Sequence, residues 1–365
     1  MESLVIDKLF GGIYKNKKVL ITGHTGFKGS WLALWLQRMG AQVYGLALEP
    51  ETNPNHYSLL NLQIESSIQD INDFDQVNKI VKRIKPDIIF HLAAQPLVRL
   101  SYLDPVNTFQ TNVMGTVNIL QACRNVPNLK AIVIITSDKC YENKEWIWGY
   151  RENETMGGRD PYSASKGCTE LVVSAFRESF FDQPDMPLLS SARAGNVIGG
   201  GDWAKDRILT DLVSATSNAE SLFLRYPHAT RPWQFVLEPL SGYLTLGWRM
   251  LEGKKGFDGA WNFGPNKENN VSVIELVQEA KKNWDEIKYD VDRENHPHEA
   301  GFLMLDSTKA DKLLNWRPVW GFSKTVKHTI DWYKEFYQNN KIISDEILLK
   351  YIHEATNQEL IWCKE

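Results

Sequence analysis

Lys17-Lys18-Val19-Leu20-Ile21-Thr22-Gly23-His24-Thr25-Gly26-Phe27-Lys28-Gly29 is the stretch that decides the fold. Its apolar first half predicts a strand, three glycines follow at intervals of three, and Ser30 to about Met39 predicts a helix closed by Gly40. Strand, glycine turn and helix together read as a dinucleotide-binding unit. Gly23 permits the tight turn, Gly26 lets a pyrophosphate approach the backbone, and Gly29 lets helix and strand close on each other. The helix start adds free N–H groups and the positive end of a dipole. Gly23, Thr25, Gly26, Phe27, Lys28 and Gly29 are therefore the first candidate cofactor contacts. Lys28 has three readings: a phosphate contact, a contact to the reacting group, or a solvent-facing lysine. The spacing is Gly-x-x-Gly-x-x-Gly and not the Gly-x-Gly-x-x-Gly of ordinary dehydrogenases.

Outward from the turn, strand and helix patterns alternate. Ala41 to Ala47 is a second strand that ends without an acidic residue to grip an adenosine ribose, so it does not decide between NAD and NADP. Ile64 to Ile68 is a third strand leading to Asp70-Ile71, and a helix follows from Asp73 to about Ile84. Asp70 suits either an adenine amino group or a helix cap. Pro86 to Leu92 is a fourth strand, and the small residues Ala93 and Ala94, with Gln95, let a cofactor lie against the backbone. Asn107 to Arg124 reads as one long helix, apolar on more than one face, suited to packing on a sheet and on a second subunit. The lead-in of residues 1 to 16 carries Leu9-Phe10, expected against the edge of the sheet.

Ala131-Ile132-Val133-Ile134-Ile135 is an unbroken apolar run, the mark of a strand buried on both faces. It stops at Thr136-Ser137-Asp138-Lys139, where a parallel sheet places its ligands. Downstream, Tyr162 and Lys166 stand four apart on the helix that begins near Asp160-Pro161, and so share a face. An ammonium beside a phenol favours the phenolate and makes it a usable base. The fold class is thus α/β: a Rossmann-type doubly wound parallel sheet, with a smaller mixed α/β substrate domain beside it.

Composition narrows the function. The chain of 365 residues is 43% hydrophobic and carries a formal charge of −4, which argues against a nucleic-acid binder with a dominant basic face. Cys123, Cys140, Cys168 and Cys363 show no paired spacing, so neither a disulfide framework nor a metal site is expected, and reduced thiols suit the cytoplasm. No run reaches transmembrane length, so no membrane partner is expected. Of the 13 tryptophans, Trp146, Trp148, Trp203 and Trp233 lie in polar surroundings, where core or edge packing competes with a ligand platform.

With these residues in place, the chain resembles the extended short-chain dehydrogenase/reductases and, within them, the CDP-glucose 4,6-dehydratase family. The resemblance is carried by Gly23–Trp31, His91–Arg99, Thr136–Tyr141, Arg193–Trp203, Arg231–Gln234 and His296–Ala300, and spans roughly residues 14 to 335. It implies NAD as cofactor and CDP-glucose as substrate, with residues 1–193 as the NAD-binding domain, 234–264 returning to it, and 194–365 mainly holding the sugar nucleotide. Arg193, Asn196, Arg207, Arg231 and His298 are the implied substrate contacts, arginine suiting phosphate oxygens through its fork. Ser137, Tyr162 and Lys166 would serve oxidation at carbon 4, with Asp138 the acid that expels the carbon 6 hydroxyl. Lys139 would be the base at carbon 5 or a stabiliser of the enolate; relatives acting on dTDP-glucose carry Glu there. The resemblance further implies a homodimer or dimer of dimers, paired through Asn107–Arg124 and Tyr162–Phe180, and a role in deoxysugar synthesis for a surface polysaccharide. Two other readings stand beside it. One is a sugar-nucleotide 4-epimerase or decarboxylase on the same scaffold, the other a catalytically silent nucleotide-binding protein.

Overall fold

Five apolar residues in a row at Ala131–Ile135 have no polar face to offer solvent, and all five are buried. They form one strand of a seven-stranded, wholly parallel sheet in a computed structural model that describes residues 6–292 and 302–364. In chain order the strands are β1 (Lys18–Thr22), β2 (Gln42–Ala47), β3 (Glu65–Ile68), β4 (Ile88–His91), β5 (Ala131–Ile135), β6 (Leu188–Arg193) and β7 (Gly259–Asn262). Across the sheet they run β3-β2-β1-β4-β5-β6-β7. Alternate side chains feed two separate cores. Val19, Ile21, Val133 and Ile135 join one with Trp31 and Trp35, whereas Leu20, Ile132 and Ile134 join the other with Ile80 and Leu120. Helices therefore cover both faces, as the doubly wound reading expects, and every strand ends at the same side of the sheet. The strand order reverses between β1 and β4, and such a switch is where open α/β sheets bind their ligands.

Several boundaries differ from expectation. The first helix starts at Phe27, three residues early, because Gly26 is extended (ψ 168°) and ends the turn. The long helix is broken in kind: Asp104 caps Pro105–Phe109, a π turn occupies Gln110–Met114, and α-helix resumes over Gly115–Cys123. Leu9-Phe10 does not reach a sheet edge. Phe10 packs instead on Tyr14, Trp35, Trp248 and Trp362, within the helical layer over one face.

Beyond β6 the chain builds small two-stranded ladders. Val197–Ile198 pairs with Gln234–Phe235, Thr230–Pro232 with Asn270–Ser272, and Ser221–Leu224 with Lys288–Val291. Helices Ile208–Ser217 and Val273–Asn283 flank them. The tail folds back as helices Phe322–Asn339 and Ser344–Asn357, and the fully buried Trp362 stacks on Phe10. Tryptophan is mainly a core residue here: Trp31, Trp35, Trp261, Trp316, Trp320, Trp332 and Trp362 are fully buried, and Trp233 nearly so, while Trp148 is 65% exposed. Among the described residues no helix is long and apolar enough to cross a membrane.

Candidate active site

The glycine turn fits a dinucleotide by exclusion of anything larger than hydrogen. Gly23 has φ +76°, and a Cβ on Gly29 would lie 2.1 Å from the Gly23 carbonyl oxygen. No side chain caps the helix Phe27–Arg38, so its first N–H groups face outward for an anion. Thr25 ties the turn to the end of β2 by donating to the Leu48 carbonyl (2.9 Å). These residues would hold the pyrophosphate of a nicotinamide dinucleotide.

The other expected cofactor contacts vary. Ala93 and Ala94 are half-buried at the end of β4, and the Ala93 amide donates to the Thr22 hydroxyl (3.2 Å). Asp70 is exposed and accepts from the Asn72 amide, while Asp73, not Asp70, caps the following helix. Asp70 thus loses the cap reading and keeps the ligand one. Ile71 is buried in the core and its carbonyl is taken by Asn118. The Gln95 side chain is likewise turned inward, donating to Thr108 and accepting from the Leu97 amide, so it shapes the loop and does not reach out of it.

At the end of β5, Ser137 caps a single 3-10 turn, Asp138–Cys140, by accepting from the Lys139 amide. Its hydroxyl donates to Asp138 Oδ1 (3.0 Å), and Ser137 is also close enough to pull the Tyr162 phenol down. Tyr162 and Lys166 lie on the helix Pro161–Phe176, started by Asp160 as cap and Pro161 in the first turn. Burial pushes the Tyr162 phenol up to about 12, against the pull of Ser137 and Arg207. Lys166 is not among the main influences on that phenol, so burial outweighs the ammonium effect expected from spacing alone. Lys166 itself is drawn down to about 8 by burial, partly opposed by Glu170.

Asp138 is 2% exposed, and burial raises its carboxyl above the usual range although Lys139, Ser137, Lys28 and Arg231 oppose the shift. Its Oδ2 has no hydrogen-bond partner, and a Cβ on Gly195 would come within 2.7 Å of it. Lys139 is half-buried beside it. Lys28 lies near enough to feel this group: burial, with the charges of Arg207 and Lys166, lowers it to about 8, and Asp138 opposes that fall. A buried acid, a phenol and several cations thus act on one another beyond the end of β5.

Of the expected substrate contacts, Arg207 lies here, held by Asp202 (2.5 Å) and acting on Tyr162. Arg231 is close enough to act on Asp138, and the half-buried Asn196 precedes the Val197–Ile198 ladder, its carbonyl accepting from Gln234. Arg193 does not serve as expected. It is 3% exposed and bound by Glu170, Tyr141 and the Glu152 carbonyl, so a phosphate cannot reach it. His298 lies outside the described residues. Sequence reasoning missed Asn112, which sits in the π turn, brackets the Gln95 backbone and donates to Ser165 (2.8 Å) on the helix of Tyr162. Nothing in the helical pattern of the sequence marks that turn.

A parallel sheet with a glycine turn fit for a dinucleotide at its switch point, Ser137 at the end of the strand next but one, and Tyr162 and Lys166 on the following helix defines a Rossmann-type protein of the short-chain dehydrogenase kind. The model of the GDP-mannose 4,6 dehydratase family matches residues 20–329, and the chain belongs to that family. It is 49% identical to the CDP-glucose 4,6-dehydratase of Salmonella typhimurium, over 93% of this chain and 96% of that one. It is 26% identical to the dTDP-glucose 4,6-dehydratase of Xanthomonas campestris pv. campestris, over 86% and 92%. Among solved structures, the epimerase Mth375 of Methanothermobacter thermautotrophicus superposes with TM-score 0.77 at 22% identity, covering 92% of this chain and 97% of that one. The UDP-glucose 4-epimerase of Thermus thermophilus, solved with NAD, does so with 0.74 at 21%, over 87% and 99%. Those two likenesses speak to the fold.

Proposed function

We propose that the chain is an NAD-dependent CDP-glucose 4,6-dehydratase, forming CDP-4-keto-6-deoxyglucose and water. The observation that carries the reading is the buried Asp138, whose Oδ1 accepts from Ser137 and whose Oδ2 is unpaired, beside the Tyr162 phenol on which both residues act. An epimerase needs only the redox step and its reversal; an acid poised beside that step serves elimination. Asp138 suits the task because burial lets it hold a proton at higher pH than an ordinary carboxyl, and its unpaired Oδ2 is left to give that proton to a leaving hydroxyl.

When bound, the cofactor supplies the hydride acceptor for carbon 4 and the donor for carbon 6. Tyr162 takes the carbon 4 hydroxyl proton. Because burial holds its phenol high, it ionises only as positive charge is added to the pocket. Ser137 orients that phenol. Asp138 protonates the departing carbon 6 hydroxyl, and Lys139, its neighbour, acts at carbon 5. Arg207 and Arg231 hold the nucleotide phosphates, with Asn196 beside them. The 49% identity to a CDP-glucose dehydratase favours cytidine as the base. The protein works in the cytoplasm as a dimer. Leu171, on one of the helices expected to pair, and Tyr102, Leu103 and Val106, just ahead of the other, are 61 to 82% exposed, a surface suited to a second copy.

The test is turnover of CDP-, dTDP-, GDP- and UDP-glucose with NAD, followed by mass loss of water. Preference for CDP-glucose by at least about tenfold is expected. Preference for another nucleotide would remove cytidine, and dehydration of none would remove the reading.

A further inference from the structure

Glu170 and Arg193 are almost wholly buried and bonded to each other at 2.7 Å. Neither touches the cleft, yet their hydrogen bonds reach both ends of the segment that carries Ser137, Asp138 and Lys139. On one side, Thr136 donates its hydroxyl to Glu170 Oε1. On the other, Arg193 Nη1 donates to the Tyr141 hydroxyl (2.6 Å), which passes its own proton to Asn262 Oδ1 (2.8 Å). Ser191 on β6 also donates to Glu170 Oε2 (2.7 Å). Glu170 itself lies one helical turn past Lys166, on the same face of the helix that carries Tyr162. One ion pair thus joins three elements: the end of β5, the end of β6 and the helix Pro161–Phe176.

We propose that Glu170 and Arg193 are positioning residues, which fix the Ser137–Lys139 turn against Tyr162 and Lys166 by bracketing it at Thr136 and Tyr141. The inference rests on the reading of those five residues as the reaction centre. A buried ion pair is a poor device for stability alone, since apolar residues of the same volume often serve as well. What it provides here is direction: a carboxylate with two oxygens and a guanidinium with a planar fork can each hold several partners at fixed angles. Arg193 extends the fork further by lying over the Tyr141 ring, 4.9 Å from its centre. The charge of Glu170 also acts on Lys166, supporting its protonated form.

The experiment compares Glu170→Gln with wild type. Gln keeps an acceptor for Thr136 and removes the charge. In folded variant, kcat should fall about 10- to 100-fold, as a small misplacement of reacting groups does, with KM for sugar nucleotide within about twofold. The alkaline limb of kcat/KM should move to lower pH, because Lys166 loses the neighbour that supports its charge. Unchanged kcat in a folded variant, or a loss matching only its unfolded fraction with an unmoved pH profile, would overturn the proposal. Should Glu170→Gln fail to fold, Tyr141→Phe decides: it removes one hydroxyl and one end of the bracket. A drop in kcat of about fivefold or more at constant KM supports positioning, and wild-type kcat overturns it. Wild-type turnover tests the function itself, so the two failures are told apart.

Discussion

Asp138 differs from its neighbours in having an oxygen with nothing to bind. Ser137 occupies Oδ1, Oδ2 is unpaired, and burial raises the carboxyl. Replacing it by Asn keeps the shape and removes the transferable proton. Asp138→Asn should leave oxidation at carbon 4 working and cut dehydration by about 100-fold or more, so that reduced nicotinamide absorbance builds up on adding substrate. An unchanged dehydration rate would take Asp138 out of the acid role. At this scale the sequence was a good guide to what meets and a poor one to what is already occupied. Ser137 and Asp138 lie together at the strand end and both act on Tyr162, while Lys166 follows one turn along the helix of Tyr162. Arg193 looked like a phosphate ligand because its partner Glu170 is distant in sequence and lies on another element. Gln95 misled similarly, since Thr108 and the Leu97 amide absorb its side chain. The Tyr162 shift was hidden too, because spacing shows a lysine nearby and does not show burial.

At the scale of elements, a buried histidine is one of the joints between the tail and the first half of the chain. His56 lies between the hydroxyls of Ser30 and Ser344, both at 2.8 Å, while Trp332 also donates to Ser344. Ser30 already donates to the Phe27 carbonyl, so the neutral ring with its proton on Nδ1 satisfies every partner. A second N–H, on Nε2, would take away the acceptor to which the buried Ser344 hydroxyl donates. Burial accordingly lowers His56 from 6.5 to about 3. The unfolded chain takes up this proton below about pH 6.5 and the folded one does not, so the stability His56 gives is complete above that pH and lost as pH falls toward 3. Urea unfolding of His56→Gln and wild type should show a gap at pH 7.5 that narrows by about 1.4 kcal/mol per unit below pH 6.5. A gap independent of pH would show that the histidine is not held neutral. Trp362 is wholly buried against Phe10, Trp35 and Tyr351, and Trp362→Ala should cost about 3–5 kcal/mol in the same measurement. A loss under 1 kcal/mol would mean that the tail is not part of the core. The helix start near Asp160-Pro161 was legible, whereas the start at Pro105 lies two residues ahead of the expected Asn107, because Asp104 caps it. The π turn and the tail packing were not, because one needs backbone geometry and the other needs partners from the far end of the chain.

For the whole molecule, the glycine turn and the buried strand Ala131–Ile135 were enough to read a doubly wound sheet, since both are local in sequence. The return of 234–264 to the first domain was read through the resemblance and β7 bears it out, whereas the strand order follows from packing, and only coordinates show it. The exposed apolar side chains Tyr102, Leu103 and Val106 belong to this scale as well. Leu103, 82% exposed, should become a barrier to pairing when replaced by Glu: light scattering should give a dimer for wild type and a monomer for Leu103→Glu. A wild-type monomer would contradict the pairing. The central claim is that one pocket oxidises carbon 4, eliminates across carbons 5 and 6, and returns the same hydride to carbon 6. CDP-glucose carrying deuterium at carbon 4 tests it most directly, with the product read by NMR. The account expects deuterium at carbon 6 of a 4-keto-6-deoxy product. Deuterium remaining at carbon 4, in substrate or in its 4-epimer, would contradict it.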